Sequence, residues 1–295
     1  MVAEVDGPTL AISDSRVTDV GGLPVHRSLP KREQRMVGAW CFLDRFGPIA
    51  VSPSRTMTVG PHPHMGLHTV TWLLEGQVLH SDSLGNAQPI RPGQLNLMTA
   101  GHGIAHAEDA RSEPAGNMDG VQLWVAQPDA TRHDPPSFAH HAELPVVDLG
   151  NGKGTVLLGE FDGSRSPAHV DSPLVGVEIA GSGIMELPLD PAFEYGLAVL
   201  HGGVRMDEAD AAPNHFVYLG VSRSAIVIEL ADAARLLLLG GQPFAEEIIM
   251  WWNFVARDRA ELESAYADWA GAQPRFGQVA STLQRIDAPR PYWSR

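Results

Sequence analysis

A single cysteine, Cys41, in 295 residues has no partner for an intramolecular disulfide and cannot build a multi-thiolate zinc site. Metal chemistry in this chain must therefore use nitrogen and oxygen ligands, and a reducing compartment is expected. Basic residues are also scarce: 21 lysines and arginines stand against 35 aspartates and glutamates, and the net charge of −14 disfavours direct contact with a phosphate backbone. No run of 18 uncharged apolar residues occurs. The opening MVAEVDGPTLAISDSR has neither a basic n-region nor a long apolar h-region, so a cytoplasmic protein with no membrane span is expected. Absent too are GxxxxGK[ST], a GxGxxG after a strand, a GxSxG elbow and HExxH, which removes the usual marks of phosphate cradling, dinucleotide binding, serine hydrolysis and thermolysin-like chemistry.

The chain is rich in turn formers, with 30 glycines and 23 prolines, and its 44% of apolar residues suffice for a folded core. That composition points to many short strands, an all-β chain. Its length is about twice a ~150-residue domain, which suggests two core-bearing units. Strands are expected at LHTVTWLLEG (67–76), VQLWVAQP (121–128), GTVLLGEF (154–161), LVGVEIAGSGIMELPL (174–189), EYGLAVLHGGVRM (194–206), HFVYLG (215–220) and SAIVIELADAARLLLLGG (224–241). Between the two sets, PDATRHDPPSFAHHAELP (128–145) reads as a linker whose His133, His140 and His141 face water. It places the boundary near 140, with domains 1–140 and 141–295. A weak internal repeat, LLEGQVLHSDSLGNAQ against AVLHGGVRMDEADAA, aligns Gly76 with Gly202 at an offset of 126. Near the C-terminus Asp258 and Glu261 form a capping box, Leu262, Ala265, Tyr266 and Trp269 recur at helical spacing, and Gly271 is a stop. The preceding PFAEEIIMWWNFVA (243–256) carries enough aromatic area to anchor the tail on a domain.

Six of the 13 histidines fall between positions 62 and 106. His62 and His64 are two residues apart, so on a strand their rings project from one face with Cα atoms about 6.6 Å apart and can converge on one ion. A lone HxH is more often an ordinary strand pair. Here His106 and Glu108 repeat the spacing about 40 residues later, as a strand-turn-strand excursion requires, and together the pairs make a three-histidine, one-carboxylate site. Such donors suit iron, zinc, copper or nickel and leave two octahedral positions open. His68 keeps the same strand face and reads as a ligand, a donor behind the ligands or a pocket-lining group. His102, between Gly101 and Gly103, faces either the metal, the pocket mouth or solvent, and His80 is a surface or packing residue.

The runs GPHPHMGLHTVTWLLEG (60–76) and RPGQLNLMTAGHGIAHAE (91–108), with AWCFLDRFGP (39–48) and VQLWV, resemble the metal site of the pirin family within the cupin superfamily. The resemblance implies a bicupin of two antiparallel β-barrels, the first binding metal and the second degenerate: at the 126-residue offset, His62 and His64 fall opposite Pro188 and Asp190. It implies that His62, His64, His106 and Glu108 are ligands and that the metal is Fe2+, with zinc, manganese, nickel or copper as other divalent ions. It also implies an iron-dependent dioxygenase of the quercetin 2,3-dioxygenase type acting on a small aromatic, flavonol-like substrate, with Glu108 as catalytic base. The alternatives are a non-enzymatic, iron- or redox-sensing regulator that binds a transcription factor or metabolic enzyme, and a cupin-type isomerase or dioxygenase with another small substrate. A monomer is expected. The chain departs from the family where His68 replaces a frequent glutamate and His102 replaces a frequent arginine, which adds imidazoles near the site.

Overall fold

The computed structural model describes residues 8–52, 56–110, 116–207 and 209–294, and strands dominate them. The expected strands form with shifts of a few residues at their ends: Leu67–Glu75, Gly116–Ala126, Gly152–Leu158, Leu174–Pro188, Glu194–His201, His215–Gly220 and Ala225–Gly241. Period-two burial is visible where a strand has one wet face. Ile226, Ile228 and Leu230 are buried while Val227 and Glu229 are exposed, and beyond Arg235 the same strand is buried on both faces through four consecutive leucines. Gly76 and Gly202 both take positive φ, +87° and +65°, each closing a long strand before a short one, so the 126-residue offset marks equivalent turns.

The chain divides into two compact units, and the division is not the sequential one expected. One comprises Met1–Val17, His26–Arg45 and Glu143–Phe244, and the other comprises Thr18–Val25, Phe46–Ala142 and Ala245–Arg295. The chain ends are exchanged relative to a cut at 140. The reason is pairing: Pro8–Asp14 adds to His215–Gly220 as an antiparallel edge strand with Asp14 opposite His215, and the tail bridges back to Met65 through Phe254.

In the first unit, seven strands of one nine-stranded antiparallel sheet run in the order Pro8–Asp14, His215–Gly220, Glu194–His201, Ala225–Gly241, Leu174–Pro188, Gly152–Leu158 and Val146–Asp148, and Val204–Met206, paired with Ala209–Ala211, adds to Ala225–Gly241 off this path. Trp40, fully buried, donates its Nε1–H to the carbonyls of Val175 and Gly240 at 3.2 Å, so its polar atom is satisfied while its rings fill the core.

The second unit is built mainly on two antiparallel sets of strands, besides the two-stranded pair Ile249–Trp251 and Phe254–Ala256. One set runs Thr58–His64, Ile104–Asp109, Val78–Asp82, Ala87–Ile90, and the other, part of a seven-stranded sheet, runs Ser137–His141, Leu95–Thr99, Leu67–Glu75 and Gly116–Ala126. Val59, Val78 and Ile90 of the smaller sheet share one apolar cluster with Leu73, Met118 and Phe46 of the larger, so the two pack face to face. The sheets stay open at their edges and do not close by hydrogen bonds into barrels, a departure from the expected barrel form of an otherwise cupin-like, all-β fold. The expected linker also contains structure. Ser137–His141 pairs with Leu95–Thr99, which half-buries His140 and His141 and gives His140 Nδ1 a 2.7 Å bond to Asn96, whereas His133 is exposed.

The expected helix spans Arg259–Ala270 and buries Leu262, Ala265 and Trp269. Asp258 Oδ1 caps it by accepting the Glu261 N–H at 2.9 Å. The carboxylate of Glu261 turns to the Arg257 N–H and to the Arg132 guanidinium, so the box is not closed reciprocally. With Phe254 and Phe276, fully buried and stacked at 5.5 Å, this helix face packs on Met65 and Ala105. Burying each phenylalanine contributes roughly 2–3 kcal/mol, which ties the tail to Met65 and Ala105, the residues next to His64 and His106.

Candidate metal centre

Strand register places the expected ligands. His106 lies directly opposite His62 in the antiparallel pair formed by Thr58–His64 and Ile104–Asp109, and Ile104 lies opposite His64. Directly opposed residues point to the same face, and His64 follows His62 by two, so three imidazoles emerge together into the space between the sheets. Beyond His106 the register slips by one residue, Glu108 facing Val59, because Gly60 and Pro61 form a bulge. That bulge turns the Gly60 carbonyl onto His62, whose Nδ1–H donates to it at 2.8 Å.

The three rings are buried and stand 4.4–5.0 Å apart, centre to centre. Trp124 of the facing sheet abuts His64 edge-on at 5.1 Å. Burial holds His62 down to about 4, with the neighbouring His80 adding to the shift and the Gly60 bond opposing it. His64 and His106 lie well below the ordinary imidazole value, first because of burial and then because of their neighbouring imidazoles. All three are neutral at pH 7, each with one N–H and one lone pair. His62 commits Nδ1 to Gly60, the His64 ring bonds the backbone of Asn253 in the tail, and His64 Nδ1 and His106 Nε2 are buried without a hydrogen-bond partner. Orphaned buried nitrogens are costly unless something else uses their lone pairs. The ligand atoms of His62, His64 and His106 all lie within 4.8 Å of one another, a spread that one ion spans, and these residues would hold a divalent cation. Among the described residues no other group of histidine, cysteine or carboxylate side chains converges this way.

Glu108 is buried on the same face, and desolvation pushes its carboxyl up to about 7. It stands outside the cluster of mutually close ligand atoms, set back by the register slip after His106. His68 is buried on Leu67–Glu75, in the other sheet, where Nδ1 meets Thr99 Oγ1 at 2.9 Å. His102 is exposed, its Nδ1 3.1 Å from the Asp134 carbonyl and its own carbonyl accepting Arg275 Nε–H at 2.8 Å, so it takes the solvent-facing alternative. His80 is not a surface residue. It is buried, stacked on Phe138 at 4.4 Å, with Nδ1 3.3 Å from His106 Nδ1 and Nε2 3.1 Å from Asp82 Oδ2. The sequence did carry a signal for it: like His106-Ala107-Glu108, His80-Ser81-Asp82 is a histidine-x-acid pair at strand spacing. A cleft of about 650 Å³ lined by Phe161, Asp190, Phe193 and Tyr195 lies in the other unit and shares no residue with this centre.

Comparison with known proteins identifies the family. The family model described as Pirin matches residues 22–125, and the one described as Pirin C-terminal cupin domain matches residues 174–277. A Pseudomonas aeruginosa protein named "Putative quercetin 2,3-dioxygenase" is 45% identical over 276 residues, covering 92% of this chain and 87% of the relative. A pirin-like protein of Caulobacter vibrioides is 37% identical, covering 90% and 94%. A crystal structure titled quercetin 2,3-dioxygenase from Acinetobacter baumannii superposes with a TM-score of 0.93 at 42% identity, covering 97% of both chains. With two cupin domains, both family models and a histidine triad in the first, the chain belongs to the pirin family.

Proposed function

We propose that this protein is a metal-dependent dioxygenase of the quercetin 2,3-dioxygenase type, with iron on His62, His64 and His106 and a flavonol-like aromatic substrate. The observation that carries the reading is the triad itself: three buried neutral rings whose free nitrogens converge beside a buried carboxyl. The names of the similar proteins from Pseudomonas aeruginosa and Acinetobacter baumannii support the choice of chemistry. A divalent ion there supplies Lewis acidity toward a substrate oxygen.

The remaining chemistry belongs to the chain. Glu108 completes the ligand set or serves as base, taking the flavonol hydroxyl proton onto a carboxylate oxygen. Burial alone brings the carboxyl to about 7, near the pH at which a base is most effective, and a nearby cation would draw it back toward the ionised form. Trp124 against His64 and Val59 opposite Glu108 place buried apolar surface beside the centre, which limits bulk water there.

The test is oxygen consumption by anaerobically purified, iron-loaded protein with quercetin, alongside Glu108→Ala and His62→Ala. Turnover that disappears in both variants is expected. Full turnover in Glu108→Ala removes the proposed base, and no turnover at verified full iron occupancy replaces the enzymatic reading with the regulatory one.

A further inference from the structure

Two side chains outside the ligand set stand in line behind His106. Asp82 ends the strand Val78–Asp82, and its Oδ1 accepts the backbone N–H groups of Leu84 at 2.9 Å and Asn86 at 3.1 Å. Asn86 Nδ2 donates to Oδ2 at 2.9 Å and to Oδ1 at 3.1 Å, which fixes the carboxylate in the turn. Between Asp82 and His106 sits His80, held flat against Phe138 at an interplanar angle of 11°.

The hydrogen-bond order along this line is determined by donor and acceptor chemistry. A carboxylate only accepts, so the 3.1 Å contact requires His80 Nε2 to carry the hydrogen. In the neutral form an imidazole has one N–H, and His80 Nδ1 is then a lone pair. It meets His106 Nδ1 at 3.3 Å, and that nitrogen must donate. The hydrogen of His106 is thereby placed on Nδ1, and Nε2, the buried atom without a partner, is left as the bare lone pair a metal needs.

We propose that Asp82 and His80 are positioning residues that fix the tautomer of His106 and, through it, the metal affinity of the triad. This inference rests on the metal centre proposed above. It assigns a role to His80, a buried histidine beside the triad that the ligand set leaves out.

Long-range 1H–15N correlation spectra of the metal-free protein at pH 8 read the tautomers directly. The expected result is a hydrogen on Nδ1 of His106 and on Nε2 of His80. A hydrogen on Nε2 of His106 overturns the proposal without touching the triad. The second arm is Asp82→Asn, which keeps Oδ1 for Leu84 and Asn86 but puts an NH2 where Oδ2 stood. His80 must then accept at Nε2 and donate from Nδ1, driving the His106 hydrogen onto Nε2. Chelator competition with Co2+ is expected to show affinity falling roughly 10- to 100-fold in Asp82→Asn and in His80→Gln, with far-UV circular dichroism unchanged. Wild-type affinity in both variants overturns the proposal. A wild-type protein that takes up no stoichiometric ion despite the expected tautomers defeats the metal centre and the affinity role together, and is thus distinct from a wrong tautomer, which defeats the relay alone.

Discussion

Replacing Gly60 by alanine strains the point where the bulge, the metal centre and the tail meet. A Cβ on Gly60 would lie 1.8 Å from the Gln284 carbonyl oxygen and 2.9 Å from its carbon. Carbon and oxygen settle at about 3.3 Å or more, so roughly 1.5 Å must be found between two stretches of backbone. If the tail yields, the Ile286 N–H loses the Pro61 carbonyl at 2.9 Å, and the Trp269 indole N–H, bonded to the Ile286 carbonyl at 2.9 Å, is strained or lost. Each bond contributes about 1 kcal/mol, and loosened packing of Ile286 and Trp269 adds about 1–2 kcal/mol, giving about 2–4 kcal/mol in all. If the strand yields instead, the Gly60 carbonyl leaves His62 Nδ1 and metal affinity falls. Urea denaturation of the metal-free variant together with chelator competition covers both routes. A Gly60→Ala protein within about 0.5 kcal/mol of wild type and with wild-type metal affinity would refute the reasoning.

Other expected outcomes follow from the same contacts. In the metal-free protein, His62 titrates at about 4 against 6.5 when unfolded, so the unfolded chain takes up protons that the folded ring refuses. Stability is therefore lost as pH falls below 6.5, by about 3 kcal/mol for this ring once pH reaches 4. His64 and His106 act in the same direction, while Glu108, raised from 4.5 to about 7, acts oppositely by costing stability as pH rises through that window. Three rings outweigh one carboxyl, so Tm should drop on the order of 5 °C or more between pH 7 and pH 5, with metal released over the same range. A Tm that is flat across this range contradicts three buried neutral rings. Asp258→Ala removes the helix cap and should cost about 1 kcal/mol by urea denaturation, and an unchanged midpoint would show that tail packing alone sets the helix. His102→Ala should leave metal content and turnover within about twofold, since the ring is exposed and bonded to Asp134; a tenfold loss would place it at the site after all.

The sequence by itself determined the all-β character, the capped C-terminal helix and the pairing of His62 with His64, because these depend on spacing along one strand or one helix turn. Period-two geometry sends residues i and i+2 to one face whatever the strand later pairs with, and Asp258 can cap only the turn that follows it. Tertiary structure decided everything that depends on register or on which surfaces meet. His106 joins the triad because it lies opposite His62, Glu108 stands back because the Gly60–Pro61 bulge slips the register by one residue, and His80 comes to His106 across a neighbouring strand. The aromatic residues of the tail announced burial but not a partner, since apolar surface carries no address. A shared apolar cluster with Met65 and Ala105, together with a hydrogen bond from Val255 to the Met65 carbonyl, sends them to the unit that holds the triad rather than to the strands that precede them in the chain.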